Sequence, residues 1–202
     1  SGFKTPKWFL IKNTDELITA SQHLGNEGIL KTNSFGYDGK GQFKINSKTN
    51  LFEIWEKLGS VECVLEEILD FKREISLMYF KSIDNSDGFF PLSENYHQDG
   101  ILIKTIAPAI VEQKTEIDLR SKVKALSKNL NFYGILVIEL FELNDGTIIF
   151  NEIAPRPHNS FHWTIDGCDN SQFDILIRSI CGLPVKDVKN NGKWEMNNLI
   201  GE

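Results

Sequence analysis

A β-hairpin that runs directly into a polar loop is the feature that most constrains the fold of this chain. Tyr133–Glu142 and Thr147–Ile153 are rich in β-branched and aromatic residues, and Asn144–Gly146 supplies the Asp-Gly step of a tight turn. The second strand leads into NEIAPRPHNSFHW, which carries a carboxylate, an arginine, two histidines, an amide and a hydroxyl. A buried strand therefore delivers a cluster of polar side chains, which predicts a functional site at its end.

Glu139 and Glu152 lie on the two strands of this hairpin, so their side chains can converge. Both stand among Ile, Leu, Val and Phe, where an unpaired carboxylate is costly. A salt bridge is one way to neutralise them, but Gly134–Leu143 and Thr147–Ile153 contain no Lys or Arg. The interpretation that we favour is a divalent cation with oxygen ligands, Mg²⁺, with Asn151 completing the set.

A glycine-rich loop, FGYDGKGQ, separates two predicted strands. It is not a Walker loop, because that motif runs into a helix. The loop is either a hairpin tip or a flap whose backbone amides close over a triphosphate, since Gly36, Gly39 and Gly41 permit close approach. Lys31, at the end of the preceding strand, is a natural partner for phosphate oxygens, whereas Lys40 is a second such cation or simply a solvated one.

The segment LEEILDFKREISL interrupts another strand. The strand ends in Glu66 and Glu67, breaks, and resumes with Glu74 four residues after Asp70. One interpretation is a loop with solvated acids. The other is a hinge whose backbone groups bind an adenine edge while a carboxylate binds ribose hydroxyls.

Hydrophobic periodicity and capping residues predict the remaining elements. Further strands are predicted at Phe9–Ile11, Gly28–Lys31, Gln42–Ile45, Cys63–Glu66, Arg73–Lys81 and Ile101–Ala107. Helices are predicted from a cap at Asn13 or Thr14 to Leu24, and at Leu51–Leu58, Glu116–Leu130 and Ser171–Cys181, the last ending before Gly182. The pattern indicates an α+β protein with two lobes of mostly antiparallel sheet and flanking helices. Because the final MNNLIGE is apolar and strand-like, we expect the chain to be part of a longer protein.

The composition excludes several classes of partner. A net charge of -6 without a visible basic face argues against nucleic-acid binding, but it is compatible with a nucleotide substrate if metal ions lie between the anions. Cys63, Cys168 and Cys181 lack metal-type spacing and are expected to be buried reduced thiols. No apolar run approaches membrane-spanning length, and the first residues lack signal-peptide features. We expect a soluble, cytoplasmic protein without nucleic-acid or membrane partners.

Five blocks, in this order, resemble the ATP-grasp superfamily and, within it, the family of 5-(carboxyamino)imidazole ribonucleotide synthases. They are LKTNSFGYDGKGQ, EEILDFKREISL, FPLSENYHQDGIL, NEIAPRPHNSFHWTIDGCDNSQFDILIRSI and GLP. The resemblance implies an ATP-grasp fold with a small lobe carrying the flap at residues 1–65 and a large lobe carrying the metal and acceptor sites at 66–202. It also implies that the family's N-terminal α/β domain and small C-terminal β domain are absent here, and it leaves a homodimer open for the full-length enzyme.

The resemblance implies a role for each motif residue. The ATP phosphates would be held by Lys31, Gly36, Tyr37, Asp38, Gly39, Lys40, Gly41 and Gln42. The adenine hinge would be Glu66, Glu67, Ile68 and Leu69, with Glu74 on the ribose and His97 near the nucleotide. Mg²⁺ would be chelated by Glu139 and Glu152, with Asn151 beside them. Bicarbonate and aminoimidazole ribonucleotide would face Tyr37, Asp38, Arg156, His158, Asn159 and Ser160, of which Asp38, Arg156 and His158 would be catalytic.

The implied reaction is an ATP-dependent carboxylation. Bicarbonate attacks the γ-phosphate to give carboxyphosphate and ADP, and the 5-amino group of aminoimidazole ribonucleotide is then carboxylated with release of phosphate. Mg²⁺, the flap, Lys31 and Arg156 would neutralise developing charge, and Asp38 would take the amine proton or merely form a turn. Two other interpretations stay open: a different ATP-grasp carboxylase or carboxylate ligase, and a truncated ATP-binding module without activity of its own.

One residue departs from the family pattern. Phe161 stands where the family has the glycine of His-Asn-Ser-Gly-His-Trp. We expect a phenylalanine here to narrow the acceptor site, or to shift the backbone if the glycine served a positive φ.

Overall fold

A computed structural model describes residues 2–32 and 41–199, which divide into two compact units. The smaller unit spans Thr5–Asp70, and the larger contains the residues up to Lys4 together with those from Phe71 onward. Each unit is built on an antiparallel sheet with helices beside it. The predicted α+β class is therefore confirmed.

The described residues of the smaller unit form four strands and two helices. The strands are β1 (Trp8–Ile11), β2 (Gly28–Thr32), β3 (Gln42–Ile45) and β4 (Cys63–Glu66), and the helices are α1 (Thr14–His23) and α2 (Leu51–Lys57). The strand order is β1-β4-β2-β3, with every neighbour antiparallel. Its core is formed by apolar residues of both layers, among them Ile11, Leu17, Leu30, Ile45, Trp55 and Leu65.

Asparagine side chains begin both helices of the smaller unit. Asn13 Oδ1 accepts a hydrogen bond from the Glu16 amide at 2.9 Å, and Glu16 Oε2 in turn accepts from the Lys12 amide at 2.8 Å. Asn50 Oδ1 accepts from the Glu53 amide at 3.3 Å. Such caps satisfy amides that have no partner within the helix, which decides in favour of Asn13 as the α1 cap.

The larger unit is built on a seven-stranded sheet. Its strands are β5 (Phe71–Lys81), β6 (Asp87–Phe89), β7 (Ser93–Gln98), β8 (Ile101–Ala107), β9 (Gly134–Leu143), β10 (Ile148–Ala154) and β11 (Trp194–Asn197). The order is β10-β9-β5-β7-β8-β11, and β6 pairs with β5 off this path. Three α-helices and a 3-10 helix accompany it: α3 (Gln113–Asn129), the 3-10 helix (Asn159–Phe161), α4 (Thr164–Gly167) and α5 (Gln172–Cys181).

Alternate residues of the central strands enter two separate cores. Met78 and Phe80 of β5 pack in a cluster with Ile175 of α5, whereas Leu77 and Tyr79 pack in a cluster with residues of α3. This follows from the two-residue period of a strand, which sends successive side chains to opposite faces. The sheet is thus covered by α5 on one face and α3 on the other.

A β-bulge interrupts the predicted hairpin. Phe150 pairs with Leu140, but the next pair is Glu152 with Glu139, so Asn151 is an extra residue in β10. A bulge turns the side chains around it and increases the local twist. The hairpin was predicted correctly, but the bulge was not.

Several short elements were not predicted. They are β6, β7, β11, the 3-10 helix and α4. The residues of β7 are mostly polar, and this strand forms because it is paired with β5 on one side and β8 on the other. Asp99 and Gly100, both at positive φ, make the turn between β7 and β8. Helix α3 also begins a turn earlier than predicted, at Gln113, after a cap position without a side-chain hydrogen bond.

Two single predictions from composition can be compared with the structure. Cys63 and Cys168 are buried free thiols, but Cys181 is exposed, so the prediction of burial is wrong for that residue. Within the described ranges, no helix has the length and apolar character needed to cross a bilayer.

Phe161 faces the core rather than an open pocket. Its side chain is 0% exposed and packs edge-on against Phe90 at a ring-centroid distance of 6.1 Å. It lies at the end of the 3-10 helix and is not among the residues with positive φ. The expectations of a narrowed acceptor site or a shifted backbone at this residue stay predictions.

Replacing Phe161 by Ala should destabilise the protein strongly. Deleting a fully buried ring leaves a cavity, so we expect the free energy of unfolding to fall by about 3–5 kcal/mol, measured by urea denaturation. Phe173→Ala is the matched control: that ring is 41% exposed on α5, and its loss should cost about 1 kcal/mol or less. Equal losses in the two variants would contradict the burial argument.

Candidate functional site

Two carboxylates face each other on neighbouring strands of the larger unit. Glu139 of β9 and Glu152 of β10 are paired in register directly after the bulge. The Glu139 side chain is only 14% exposed, whereas Glu152 is exposed and Asn151 is half-buried. The bulge thus brings two β10 residues, Asn151 and Glu152, opposite the single residue Glu139.

The environment of Glu139 makes its negative charge unfavourable. Burial, and then the charge of Glu152, raise the pKa of Glu139 from 4.5 to about 7. His97 and Arg156 act in the opposite direction through their positive charge, and Glu74 adds to the rise. These five side chains therefore form one electrostatically coupled group.

His158 contacts the buried carboxylate directly. Its Nε2 lies 3.3 Å from Glu139 Oε1, and its side chain is 9% exposed. On the other side of the ring, Nδ1 lies 2.8 Å from Ser160 Oγ. The sequence argument counted partners only within the hairpin, and it missed this histidine from the following loop, which lies within contact distance of the carboxylate.

The remaining loop residues differ in exposure. Arg156 is exposed and donates from Nη1 to the Pro157 carbonyl at 3.1 Å. Asn159 Oδ1 accepts from the Ser160 amide at 3.0 Å. Ser160 is 1% exposed, so its hydroxyl contacts the His158 ring in the interior of the protein. The loop therefore presents Arg156 to solvent and holds His158 inside.

Glu74 and His97 form a second pair on the central strands. His97 Nδ1 lies 2.9 Å from Glu74 Oε2, an ion-pair distance, although the direction of the contact does not satisfy hydrogen-bond geometry. Burial lowers the pKa of His97, but Glu74 and then Glu139 outweigh it, so the pKa lies above its usual value of 6.5. The pair adds a carboxylate and an imidazole to the group around Glu139.

A buried chain of hydrogen bonds connects the strands beside this site. Ser76 is paired with Glu139 across β5 and β9, and Ser76 Oγ accepts from Asn95 Nδ2 at 2.6 Å. Asn95 Oδ1 accepts in turn from Thr105 Oγ1 at 3.1 Å. All three side chains are buried, and the two hydrogen bonds satisfy their polar groups. These bonds also fix the positions of the three strands relative to one another.

The smaller unit contains a second set of predicted residues. Lys31 Nζ pairs with Glu66 Oε2 at 2.7 Å, between strands β2 and β4. Gln42, the first residue of β3, is in register with Lys31. Gly41 lies at φ +78, and a Cβ there would be 2.8 Å from Thr32 Oγ1, so this position favours glycine.

The predicted hinge follows directly on β4. Pairing in the sheet ends at Glu66, and residues 67–70 belong to no strand. Glu67 is tied to Lys7 twice, through its amide to the Lys7 carbonyl at 2.9 Å and through Oε1 to the Lys7 amide at 2.7 Å. Ile68 and Leu69 are half-buried and lie outside the ladder, and their contact with adenine stays a prediction.

Part of the predicted site lies outside the described residues. These positions are Gly36, Tyr37, Asp38, Gly39 and Lys40. Their proposed contacts with phosphate and substrate stay predictions.

The donor set of the larger unit fits a magnesium ion. In the described part of the chain, no group of three or more His, Cys, Asp or Glu residues is arranged to hold a metal. Mg²⁺ does not need such a cage, because it usually binds one or two carboxylates together with phosphates and water. Glu139, Glu152 and the Asn151 amide supply oxygen donors of that kind.

The family model of the ATP-grasp domain matches residues 1–173. The chain belongs to the ATP-grasp family. Its two units and antiparallel sheets are those of the ATP-grasp fold predicted from the sequence.

Named relatives within the ATP-grasp family are similar along the whole chain. N5-carboxyaminoimidazole ribonucleotide synthase of Brucella melitensis is 38% identical, with 100% of this chain and 56% of the relative covered. The Staphylococcus aureus N5-carboxyaminoimidazole synthetase, solved with ADP, is 36% identical at a TM-score of 0.89, covering 98% of this chain and 53% of that one. An Aspergillus clavatus N5-carboxyaminoimidazole synthase, solved with ADP and 5-aminoimidazole ribonucleotide, is 29% identical at 0.82, covering 100% and 54%. This ATP-grasp chain thus spans about half the length of these relatives.

Sequence analysis missed two residues that hold the loop after β10. Gln172 is 0% exposed and binds the backbone of His158, and Trp163 Nε1 donates to Ser93 Oγ at 2.9 Å. A signal for Gln172 was present, because it lies on the same helical stripe as the buried Ile175 and Ser179, at spacings of three and seven. The partner of Trp163 is 70 residues away and had no local signal.

The raised pKa of Glu139 predicts a pH-dependent stability in metal-free solution. A carboxyl group whose pKa is raised on folding contributes most below its unfolded value, and this contribution is lost as the pH rises through the folded value, here about 7. Glu139→Gln should therefore be more stable than the parent at about pH 8, by on the order of 1–3 kcal/mol, and nearly equal at about pH 4.

Urea denaturation with a chelator at the two pH values measures this effect. Glu195→Gln, at an exposed position of β11 in the same sheet, is the control and should change little at either pH. A Glu139→Gln variant that is less stable than the parent at the higher pH would show that the carboxylate is favourably neutralised without metal.

Proposed function

We propose that this chain is the ATP-binding portion of an enzyme that carboxylates 5-aminoimidazole ribonucleotide at the expense of ATP, with bicarbonate as the carbon source. The observation that carries the proposal is the group formed by Glu139, Glu152, His158 and Arg156, which places two facing carboxylates beside an imidazole and an exposed guanidinium. Membership of the ATP-grasp family and similarity to synthases of this activity support it.

Each unit contains residues that the nucleotide half of the proposal assigns to ATP. In the smaller unit, Lys31, Gly41 and Gln42, together with the predicted flap residues, would hold the phosphates, while Glu66–Leu69 would hold the adenine. Lys31 is paired with Glu66 at 2.7 Å, so binding of a phosphate would exchange one anionic partner for another. In the larger unit, Glu74 would bind ribose hydroxyls and His97 would lie near the nucleotide.

The metal site would be formed by Glu139 and Glu152, with Asn151 beside them. Mg²⁺ supplies positive charge that neutralises the phosphates and the transferring phosphoryl group. Glu152 is exposed and available for a cation, whereas one oxygen of Glu139 is already engaged by His158. His158 would therefore fix the orientation of the inner carboxylate while the other oxygen stays available.

The acceptor half would be formed by the loop after β10. Arg156 is exposed and carries a charge that reaches Glu139, so it suits a small anion such as bicarbonate. Proline residues on both sides restrict its backbone, which reduces the entropy lost when it binds. His158 and Asn159 would assist, with Tyr37 and Asp38 of the flap on the substrate side and Asp38 as the base for the amine proton.

Release of ADP with bicarbonate, measured with and without 5-aminoimidazole ribonucleotide, tests the proposal. The proposed function predicts release that depends on bicarbonate and is coupled to the ribonucleotide. Release with a different carboxylate acceptor would indicate another ATP-grasp ligase. ATP binding without release would indicate a nucleotide-binding module, and the same assay on the longer protein would then decide whether the missing length restores turnover.

Glu152→Gln should weaken Mg²⁺-dependent ATP binding. The substitution keeps the shape of the side chain but removes the charge of a proposed metal ligand, so we expect a loss of about tenfold or more, as for a charge-assisted contact. Calorimetric titration of ATP at several Mg²⁺ concentrations measures it, with Glu195→Gln as the exposed control in the same sheet. An unchanged Mg²⁺ dependence would remove Glu152 from the metal site.

Arg156→Ala should affect carboxylation much more than nucleotide affinity. We expect turnover to fall by about a hundredfold, the scale for losing one preorganised charge donor, while ATP affinity stays within about threefold. Steady-state kinetics in the longer protein and ATP titration of this chain measure the two effects.

Arg178→Ala is the matched control for Arg156→Ala. Arg178 also donates one hydrogen bond to a proline carbonyl, Pro184 at 3.3 Å, but it lies outside the site. If Arg156 merely secured its loop, its loss would lower the melting temperature and ATP affinity together with turnover, and the acceptor role would be wrong.

A further inference from the structure

The side chain of Gln172 binds both backbone groups of His158. Its Oε1 accepts a hydrogen bond from the His158 amide at 2.8 Å, and its Nε2 donates to the His158 carbonyl at 2.9 Å. Gln172 is 0% exposed, so no water competes with the two bonds. Contact with both groups of one residue restricts the position and the rotation of its backbone more than a single bond does.

The same end of α5 holds the loop at a second point. The Gln172 amide donates to Thr164 Oγ1 at 3.0 Å, and Thr164 Oγ1 donates to the Phe161 carbonyl at 2.6 Å. Thr164 is also 0% exposed. The loop is therefore attached to α5 through His158 on one side of the 3-10 helix and through Phe161 and Thr164 on the other.

The start of α5 is itself well fixed. Ser171 and Asp174 form a reciprocal capping box, in which the Asp174 carboxylate accepts from the Ser171 amide at 3.0 Å and the Ser171 hydroxyl accepts from the Asp174 amide at 3.2 Å. Gln172 follows directly on this cap. The side-chain amide of Gln172 thus projects from a capped helix end rather than from a loop.

Contacts of the His158 ring with Ser160 show which nitrogen faces the carboxylate. Nδ1 accepts from the Ser160 amide at 3.4 Å and lies 2.8 Å from Ser160 Oγ. A neutral imidazole that accepts at Nδ1 carries its proton on Nε2, the nitrogen that lies 3.3 Å from Glu139 Oε1. The ring is therefore oriented to donate to Glu139.

We propose that Gln172 is a positioning residue which, by holding the backbone of His158 on α5, sets the ring orientation and tautomer that His158 presents to Glu139. Gln172 would touch neither substrate nor metal and would act only through His158. Which reaction His158 takes part in rests on the proposed function. The positioning of His158 by Gln172 does not depend on it.

Nuclear magnetic resonance of the imidazole nitrogens tests the proposal without nucleotide, metal or substrate. The chain has 4 histidines, so the His158 signals are assigned by their loss in His158→Ala. In the parent, the two nitrogens of His158 should give the well-separated signals of a single tautomer. In Gln172→Met, which keeps the side-chain length but makes neither hydrogen bond, the two signals should move toward each other.

Ser179→Ala is the matched control. Ser179 is also 0% exposed on the buried face of α5, but its hydroxyl has no hydrogen-bond partner within the described residues. This variant should keep the parental His158 signals. Parental signals in Gln172→Met as well would overturn the proposal.

Gln172→Glu covers the case in which Gln172→Met does not fold. A carboxylate oxygen can still accept from the His158 amide but cannot donate to its carbonyl, so the His158 signals should lie between those of the parent and of the methionine variant. If neither variant folds while Ser179→Ala does, Gln172 has a structural role and the positioning role is wrong.

Kinetics in the longer protein separate this inference from the proposed function. Gln172→Met should lower kcat/KM for the ribonucleotide by about 10- to 100-fold, the range for groups that orient metal-site residues, without raising KM for ATP. In a His158→Ala background it should cause no further loss, because its effect passes through His158. An additive loss in that background would overturn the inference. If Gln172→Met alters the His158 signals but the parent protein does not carboxylate the ribonucleotide, the inference stands and the proposed function is rejected.

Discussion

The arrangement of the larger unit is organised around a carboxylate that is held where its charge is unfavourable. Glu139 is mostly buried on an inner strand, and Glu152 faces it from the edge strand β10. Because Glu139 is poorly solvated and Glu152 carries a like charge, positive charge nearby is needed to keep Glu139 ionised. The chain supplies part of it through Arg156 and His97, which come from the loop after β10 and from β7. The positively charged groups of the chain therefore stabilise the ionised form of Glu139 only in part, and the site still favours a cation.

The rigidity of this site comes from the core beneath it. The same sheet face that carries Glu139 continues into an apolar cluster containing Met78, Phe161 and Trp163. The loop after β10 is thus secured by buried aromatic rings, by the Trp163–Ser93 hydrogen bond and by Gln172. Because these contacts use side chains that point inward, the loop leaves Arg156 exposed while it keeps His158 fixed. Buried packing residues and an exposed arginine are therefore separated within one short segment.

Membership of the ATP-grasp family places these groups in a functional frame, and the named relatives are N5-carboxyaminoimidazole ribonucleotide synthases. The chain matches about half of the length of those relatives. Within that half, the described residues of the smaller unit include Lys31, Gly41 and the end of β4 at Glu66, and the larger unit contains the facing carboxylates and the loop after β10. The phenylalanine at position 161, where the family has glycine, does not alter this assignment, because its ring is buried in the core.

The sequence by itself determined the α+β class, most strand and helix positions, the hairpin and the identity of the acidic and loop residues, because periodicity, caps and Asp-Gly turns are local signals. Strands such as β7 were not predictable in this way, since a polar segment becomes a strand only when neighbours on both sides pair with it. Tertiary structure likewise decided three features of the site: the bulge at Asn151, the contact of His158 with Glu139 and the hydrogen bonding of Gln172 to the His158 backbone. The bulge depends on the register of two strands, and the other two features depend on contacts between residues 14 and 19 positions apart, which no local pattern encodes.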